Sequence, residues 1–138
     1  MDIIETLKKY KRINDQFECL GNILIEYTGN DEVVYIPEGI KKIGDMAFRR
    51  APENTKVIHL PSSVTTIGIA AFAYCPSLEY VYGEHVTEIH EYAFWGCKKM
   101  KKGYFPKLKK YYNEAFHGTF MSVHMPSKAK ILWLSRWR

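Results

Sequence analysis

The chain has 138 residues, of which 46% are hydrophobic, and this is enough for one domain with a continuous buried core. No stretch reaches the roughly 18 apolar residues of a membrane-spanning helix, and the three cysteines form no CxxC pair, which argues against a membrane span, a disulfide framework and a structural metal site. The net charge of +5 is unevenly distributed, because residues 98–138 contain eleven Lys and Arg against one Glu, whereas residues 1–97 contain nine against fourteen acids.

The N-terminal segment predicts a helix. Apolar residues at helical spacing share one face over residues 2–13, and this pattern is typical of a short amphipathic helix. Asp2 and Glu5 interrupt any continuous apolar stretch, so the segment does not resemble a secretory signal. We therefore expect a cytoplasmic protein, unless an export segment has been removed.

A β-hairpin is predicted next. The apolar stretches Phe17 to Leu20 and Ile23 to Tyr27 flank Gly21 and Asn22, a dipeptide suited to a tight turn with positive φ. Together with the helix, this hairpin is expected to form an N-terminal cap over residues 1–30.

A six-residue pattern then recurs four times within residues 31–126. An apolar residue, usually isoleucine, is followed four and five residues later by Ala and Phe, and the phenylalanines are 24, 22 and 22 residues apart. A period of this length indicates stacked coils of one supersecondary unit. The four phenylalanines are Phe48, Phe72, Phe94 and Phe116.

The first half of each repeat predicts a strand. Apolar and exposed residues alternate over a few positions, and a proline often follows and ends the strand because it has no N–H to donate. We expect five such strands, stacked in parallel, with inward residues at Val34, Ile58, Val81, Gly103 and Val123.

The second half of each repeat predicts a short helix. In the first repeat, Ile40 and Ile43 precede Ala47 and Phe48 with spacings of three, four and five residues, which direct these side chains to one side of a helix. The small alanine is expected to let the helix approach the strands, and the phenylalanine to fill the space between them.

These elements resemble the BspA-like leucine-rich repeats of bacteria, whose coil consists of a strand, Ile-Pro, Val-X-X-Ile-Gly-X-X-Ala-Phe, then Cys and a leucine. The resemblance covers residues 23–125, and residues 58–78 and 81–100 match best. Cys75 and Cys97 stand at the family's cysteine position. It implies an α/β repeat solenoid, a right-handed leucine-rich-repeat coil with short parallel strands on one face and short helices on the other. For many members it also implies a surface-exposed, adhesive role.

We accordingly expect a single leucine-rich-repeat domain over residues 1–138. The repeats occupy residues 31–126, and residues 127–138 are expected to form a C-terminal cap, since Ile131 to Leu134 and Trp137 are apolar enough to cover the last coil.

Aromatic rings and histidines occupy the outward position of every predicted strand. Adjacent strands lie about 4.8 Å apart, so the resulting column crosses roughly 20 Å. Tyrosine is enriched at protein interfaces, and the column is therefore the candidate site at which a non-enzymatic interaction module binds a protein or peptide. The alternative is an exposed sheet whose rings only stabilise each other, by about 0.2 to 1 kcal/mol per pair. The candidate contacts are Tyr35, His59, Tyr80, Tyr82, Tyr104 and His124.

The uneven charge suggests two further functions. Acidic and basic ends favour head-to-tail self-association, as in a structural or adhesive repeat protein forming a homo-oligomer. The lysine run of residues 98–110 is dense enough to attract nucleic acid or an anionic surface by counterion release. However, the sequence has no RNA-binding consensus or recognition-helix signature, which favours a solvated lysine face over nucleic-acid binding.

No motif supports catalysis or a cofactor. The sequence contains no phosphate-binding glycine loop, no HExxH and no G-x-S-x-G, so we expect a protein that is not an enzyme, with no catalytic residues. His85 and His90 have no matching ligand spacing, and no metal site is expected there. Cys75 and Cys97 are expected to fill equivalent interior positions in consecutive coils.

Overall fold

The computed structural model describes residues 3–4, 10–119 and 122–132. These residues form thirteen strands arranged in two sheets. In chain order the strands are β1 (Tyr10–Ile13), β2 (Phe17–Leu20), β3 (Ile23–Tyr27), β4 (Val33–Tyr35), β5 (Lys42–Ile43), β6 (Val57–His59), β7 (Thr66–Ile67), β8 (Tyr80–Tyr82), β9 (Glu88–Ile89), β10 (Lys102–Tyr104), β11 (Lys110–Tyr112), β12 (Ser122–His124) and β13 (Lys130–Leu132).

From β4 onward the chain alternates between the two sheets and forms a stack of coils. We number the coils one to five, for residues 33–56, 57–79, 80–101, 102–119 and 122–132. Each coil contributes one strand to a five-stranded sheet of order β12-β10-β8-β6-β4 and one to an eight-stranded sheet of order β1-β2-β3-β5-β7-β9-β11-β13. All neighbours in the five-stranded sheet are parallel, which confirms the five predicted strands.

The predicted helices of the repeats are wrong. Ile43, Ile67, Ile89 and Tyr111 lie in short strands of the eight-stranded sheet, and the Ala–Phe pairs that follow lie in turns. The residues before the first three of these alanines, Met46, Ala70 and Tyr92, have positive φ values of 56°, 53° and 59°. A left-handed residue at this point ends any right-handed helix, because helix propagation requires negative φ at every residue.

Backbone hydrogen bonds between coils replace those of the expected helices. The N–H of Met46 donates to the carbonyl of Ile69 at 2.9 Å, and the N–H of Phe48 donates to that of Ala71 at 2.9 Å. The same bond joins Phe72 to Ala93 at 2.8 Å. These turns therefore form a third side of the stack, which we call the turn face: residues 45–51, 69–75, 91–97 and 113–119.

The phenylalanines form a continuous ladder inside the coils, as the repeat spacing predicted. Ring centroids are 4.8 Å apart between Phe48 and Phe72, 5.2 Å between Phe72 and Phe94, and 5.6 Å between Phe94 and Phe116. The first three rings are fully buried and Phe116 is half-buried. Tyr27 extends the ladder at its N-terminal end, 5.0 Å from Phe48.

The N-terminal region agrees with the predicted hairpin but not with the predicted helix. Strands β2 and β3 have the predicted bounds, and Gly21 in their turn has a φ of 60°. The helix expected over residues 2–13 is wrong for Tyr10–Ile13, which pairs with β2 as the antiparallel strand β1. Pairing with β1 satisfies the N–H and C=O groups along the outer edge of β2, which a helix would leave unpaired. Ile3 and Ile4 have helical backbone, and the other residues of that segment lie outside the described ones.

At the C-terminal end, the segment expected to be a cap contributes another strand. Lys130–Leu132 forms β13, which pairs in parallel with β11. The apolar residues Trp133, Leu134 and Trp137 lie outside the described part of the chain. No helix within the described residues has the length and apolar character needed to span a bilayer.

Candidate functional site

The predicted column of rings exists and runs across all five strands of the five-stranded sheet. Tyr35, His59, Tyr82, Tyr104 and His124 are direct partners in the parallel register. Successive centroids are 4.7, 5.0, 6.5 and 5.0 Å apart, with interplanar angles of 5°, 14°, 52° and 23°. The rings thus stack along the sheet, except for a tilt between Tyr82 and Tyr104.

Tyr80 begins a second column beside the first. Its ring lies 6.3 Å from that of Tyr82 and nearly parallel to it, at 12°. Val57 and Lys102 are the partners of Tyr80 on the neighbouring strands, and the Lys102 ammonium lies 5.8 Å from the centroid of Tyr104. Sequence reasoning missed this valine and lysine, although each stands two residues before a ring of the first column.

The exposure of the rings varies along the first column. Tyr35 is 68% exposed, Tyr82 is 37% exposed, His124 is exposed, and His59 and Tyr104 are half-buried. Each ring is held by at least one stacked neighbour, so little side-chain entropy remains to be lost when a partner binds. We call this surface the aromatic strand face: Tyr35, His59, Tyr80, Tyr82, Tyr104 and His124.

The lysine run of residues 98–110 does not lie on one surface. Lys102 projects from the five-stranded sheet, whereas Lys110 belongs to the eight-stranded sheet. Two lysines of the run also pair with acids of the preceding coil: Lys101 with Glu79 at 3.3 Å and Lys110 with Glu88 at 2.8 Å. These ion pairs connect successive coils and reduce the charge available to a polyanion.

The cysteines and histidines of the repeats have local partners. Cys75 and Cys97 are buried, and the Cys97 thiol donates to the carbonyl of Phe72 at 2.9 Å. Hydrogen bonding with Cys97, together with burial, raises the pKa of the Cys75 thiol.

His90 lies 3.1 Å from Glu88 and 3.5 Å from Glu91. Within the described ranges, no three His, Cys, Asp or Glu side chains are grouped so as to hold a metal ion.

Trp95 lies on the turn face, where it connects three coils. Its indole N–H donates to the hydroxyl of Tyr74 at 2.9 Å, and its ring stacks on His117 with centroids 4.3 Å apart. Tyr92 meets the same ring edge-on at 5.1 Å. The turn face therefore has an ordered aromatic cluster of its own, separate from the aromatic strand face.

Parallel sheets built from one strand per coil, with the repeat's apolar residues pointing inward, define a leucine-rich-repeat β-solenoid of about five turns. A family model described as BspA type leucine rich repeat region matches residues 20–132 in 6 copies, and the chain belongs to this family. Repeats of this family generally serve in protein interaction or adhesion and are generally non-enzymatic.

Several solved bacterial structures are similar to this chain. A leucine-rich repeat protein from Bacteroides capillosus has 26% identity and a TM-score of 0.62, and the match covers 86% of this chain and 93% of that one. One from Bacteroides ovatus has 27% identity and a TM-score of 0.68, covering 90% of this chain but 35% of the other. A leucine rich cell surface protein from Faecalibacterium prausnitzii, at 23% identity and a TM-score of 0.52, shares the fold, and the match covers 94% of this chain and 41% of that one. No curated protein matches the chain.

Proposed function

We propose that this chain is a non-enzymatic protein–protein interaction module that binds a protein or peptide partner through the aromatic strand face. The observation that carries the proposal is the column from Tyr35 to His124, in which rings on neighbouring strands lie 4.7 to 6.5 Å apart on one sheet. Tyrosine combines a large apolar area with a polar hydroxyl and few torsions to restrict, and for this reason it often forms the energetic centre of interfaces.

The arrangement suits an elongated partner that crosses the strands. Equivalent side chains recur at every strand, about 4.8 Å apart, so an extended segment can contact successive rings along the column. Tyr80 and Lys102 widen the surface to two columns at its centre. The centre, between Tyr82 and Tyr104, is therefore where truncation of rings should weaken binding most.

A second candidate is self-association of a structural or adhesive repeat protein through its acidic and basic ends. The charge division favours it, because opposite charges steer encounter. A continuous end-to-end sheet is obstructed, however. If β12 of one copy paired with β4 of the next, β13 of the first copy would have to lie beside β5 of the second. That position is already occupied by the second copy's own β3. Self-association would thus depend on contacts between charged side chains.

Affinity capture from the source cell at low and high salt tests the proposal. We expect the wild-type chain to retain its partner at high ionic strength, because ring burial is little affected by screening, whereas charge-driven self-association should be lost. The double variant Tyr82→Ala with Tyr104→Ala should capture less of the same partner. The matched control is Tyr112→Ala, which removes a ring stacked on His90 from the eight-stranded sheet. Equal capture by the double variant and the control would reject the proposal.

A further inference from the structure

A hollow of about 230 Å³ opens on the turn face over coil two, on a side of the solenoid separate from the aromatic strand face. We call it the alanine hollow, lined by Met46, Arg49, Ala51, Ala70, Ala73 and Tyr74. Three of its six lining residues are alanines, so the floor is apolar. Its volume is below that of the pockets that enclose drug-sized ligands, and suits a single side chain.

Coil two has small residues where its neighbours have large ones, and these small residues line the hollow. Each repeat has two outward positions on the turn face, one directly before the Ala–Phe pair and one directly after it. Coil two has Ala70 and Ala73 at these positions. The flanking coils have large side chains there: Met46 and Arg49 in coil one, and Tyr92 and Trp95 in coil three. The hollow is therefore bounded by Met46 and Arg49 of coil one and by Tyr74 of coil two.

The walls of the hollow are exposed, and the tyrosine wall is held in place. Met46 is 48% exposed and Tyr74 is 63% exposed. The hydroxyl of Tyr74 accepts a hydrogen bond from the Trp95 indole at 2.9 Å, and Trp95 in turn stacks on His117. An ordered tyrosine and a methionine beside an apolar floor form the kind of pocket that receives an anchor side chain at protein interfaces.

The rim of the hollow carries surplus positive charge. Arg49 and Arg50 both donate through Nε to the carboxylate of Glu26, at 2.6 and 2.9 Å. One carboxylate neutralises one of the two guanidinium charges, and the Arg49 side chain remains 49% exposed. A guanidinium with further N–H donors at the edge of an apolar pocket favours a carboxylate beside the bound apolar group.

We propose that the alanine hollow docks an acidic peptide segment of another protein, which inserts one apolar side chain over Ala70 and Ala73 and places a carboxylate on Arg49. The apolar floor favours an apolar side chain in the hollow, and the positive charge at the rim favours acidic residues next to it in the peptide. This contact is independent of the aromatic strand face and gives the solenoid a second interaction surface.

The test uses two blocked peptides that share a central leucine and carry opposite charges, Gly-Asp-Leu-Glu-Gly and Gly-Lys-Leu-Lys-Gly, titrated into the ¹⁵N-labelled full chain. We expect the acidic peptide to shift the amide resonances of Ala70, Ala73 and Tyr74 saturably, with a dissociation constant of about 1 mM for a single anchor. Ala73→Trp should abolish the shifts by filling the hollow, and the equivalent position of coil three already holds Trp95.

The two arginines provide a matched pair of variants. Arg49→Gln and Arg50→Gln each remove one ion pair to Glu26, but only Arg49 lines the hollow. Arg49→Gln should weaken binding of the acidic peptide at least about threefold relative to Arg50→Gln. Equal shifts from both peptides, shifts that persist in a folded Ala73→Trp variant, or equal losses in the two arginine variants would overturn the proposal. A dimer of the wild-type chain that dissociates in Ala73→Trp would also overturn it, by assigning the hollow to a second copy.

Discussion

Replacing Phe72 with alanine should be among the most destabilising single substitutions in this solenoid. The ring is fully buried and stacks between Phe48 at 4.8 Å and Phe94 at 5.2 Å. Loss of its transfer free energy is worth about 1.5 to 3 kcal/mol, and the cavity left between two rigid coils raises the total to about 3 to 5 kcal/mol. Phe116 provides the comparison, since its ring is half-buried and stacks on one ladder neighbour, Phe94.

Urea unfolding followed by circular dichroism measures both free energies of unfolding. We expect Phe116→Ala to cost about half as much as Phe72→Ala, because less apolar area is lost there. A loss below about 1.5 kcal/mol for Phe72→Ala, or equal losses for the two variants, would refute the claim that the ladder holds the coils together.

Three further predictions follow from local geometry. Gly68→Ala should destabilise the chain by about 1 to 3 kcal/mol in the same urea assay, because a Cβ at this position would lie 2.5 Å from Asp45 Oδ1 and 2.8 Å from the Ile43 carbonyl oxygen; a neutral effect would contradict the close coil contact. Hydrogen bonds from Arg50 and Arg49 lower the pKa of Glu26, so its contribution to stability is present above the ordinary glutamate pKa and is lost as the pH falls through the lower folded value. The free energy of unfolding of Glu26→Gln should therefore be about 1 kcal/mol below that of wild type at pH 7, and this deficit should shrink as the pH falls below about 4.3. A deficit that does not change with pH would exclude this ion pair as the cause. The thiols of Cys19, Cys75 and Cys97 are buried, and Ellman's reagent should react with them only after unfolding; rapid reaction of the native chain would show that the interior is open.

The strand half of each coil was predictable from the sequence. Period-two alternation around Val34, Ile58 and Val81 identifies both the buried residue and the outward ring, because side chains alternate across a strand whatever their neighbours are. The repeat length then placed equivalent residues in register, so the column of the aromatic strand face followed from spacing alone.

The turn half was not predictable from hydrophobic spacing. Residues three, four and five positions apart share one face of a helix, but a strand followed by left-handed turns also directs Ile43, Ala47 and Phe48 inward. The deciding feature is positive φ at Met46, Ala70 and Tyr92, and none of these residues has the glycine or asparagine identity that usually indicates such a conformation.

The sequence contains a signal for the alanine hollow. At the outward positions of the turns, coil two has the small residues Ala70 and Ala73, whereas its neighbours have large ones such as Met46, Tyr92 and Trp95. The charge at its rim could not be inferred in this way. Glu26 lies 23 residues before Arg49 and 24 before Arg50 in the chain. The two arginines share its carboxylate because the hairpin strand β3 packs beside coil one.

The most direct test of the proposed function is calorimetric titration of the captured partner against three folded chains: wild type, Tyr82→Ala with Tyr104→Ala, and Tyr112→Ala. We predict that the double variant loses at least about tenfold in affinity, as expected when central interface tyrosines are truncated, while the control binds like wild type. Wild-type affinity in the double variant would contradict the assignment of partner binding to the aromatic strand face.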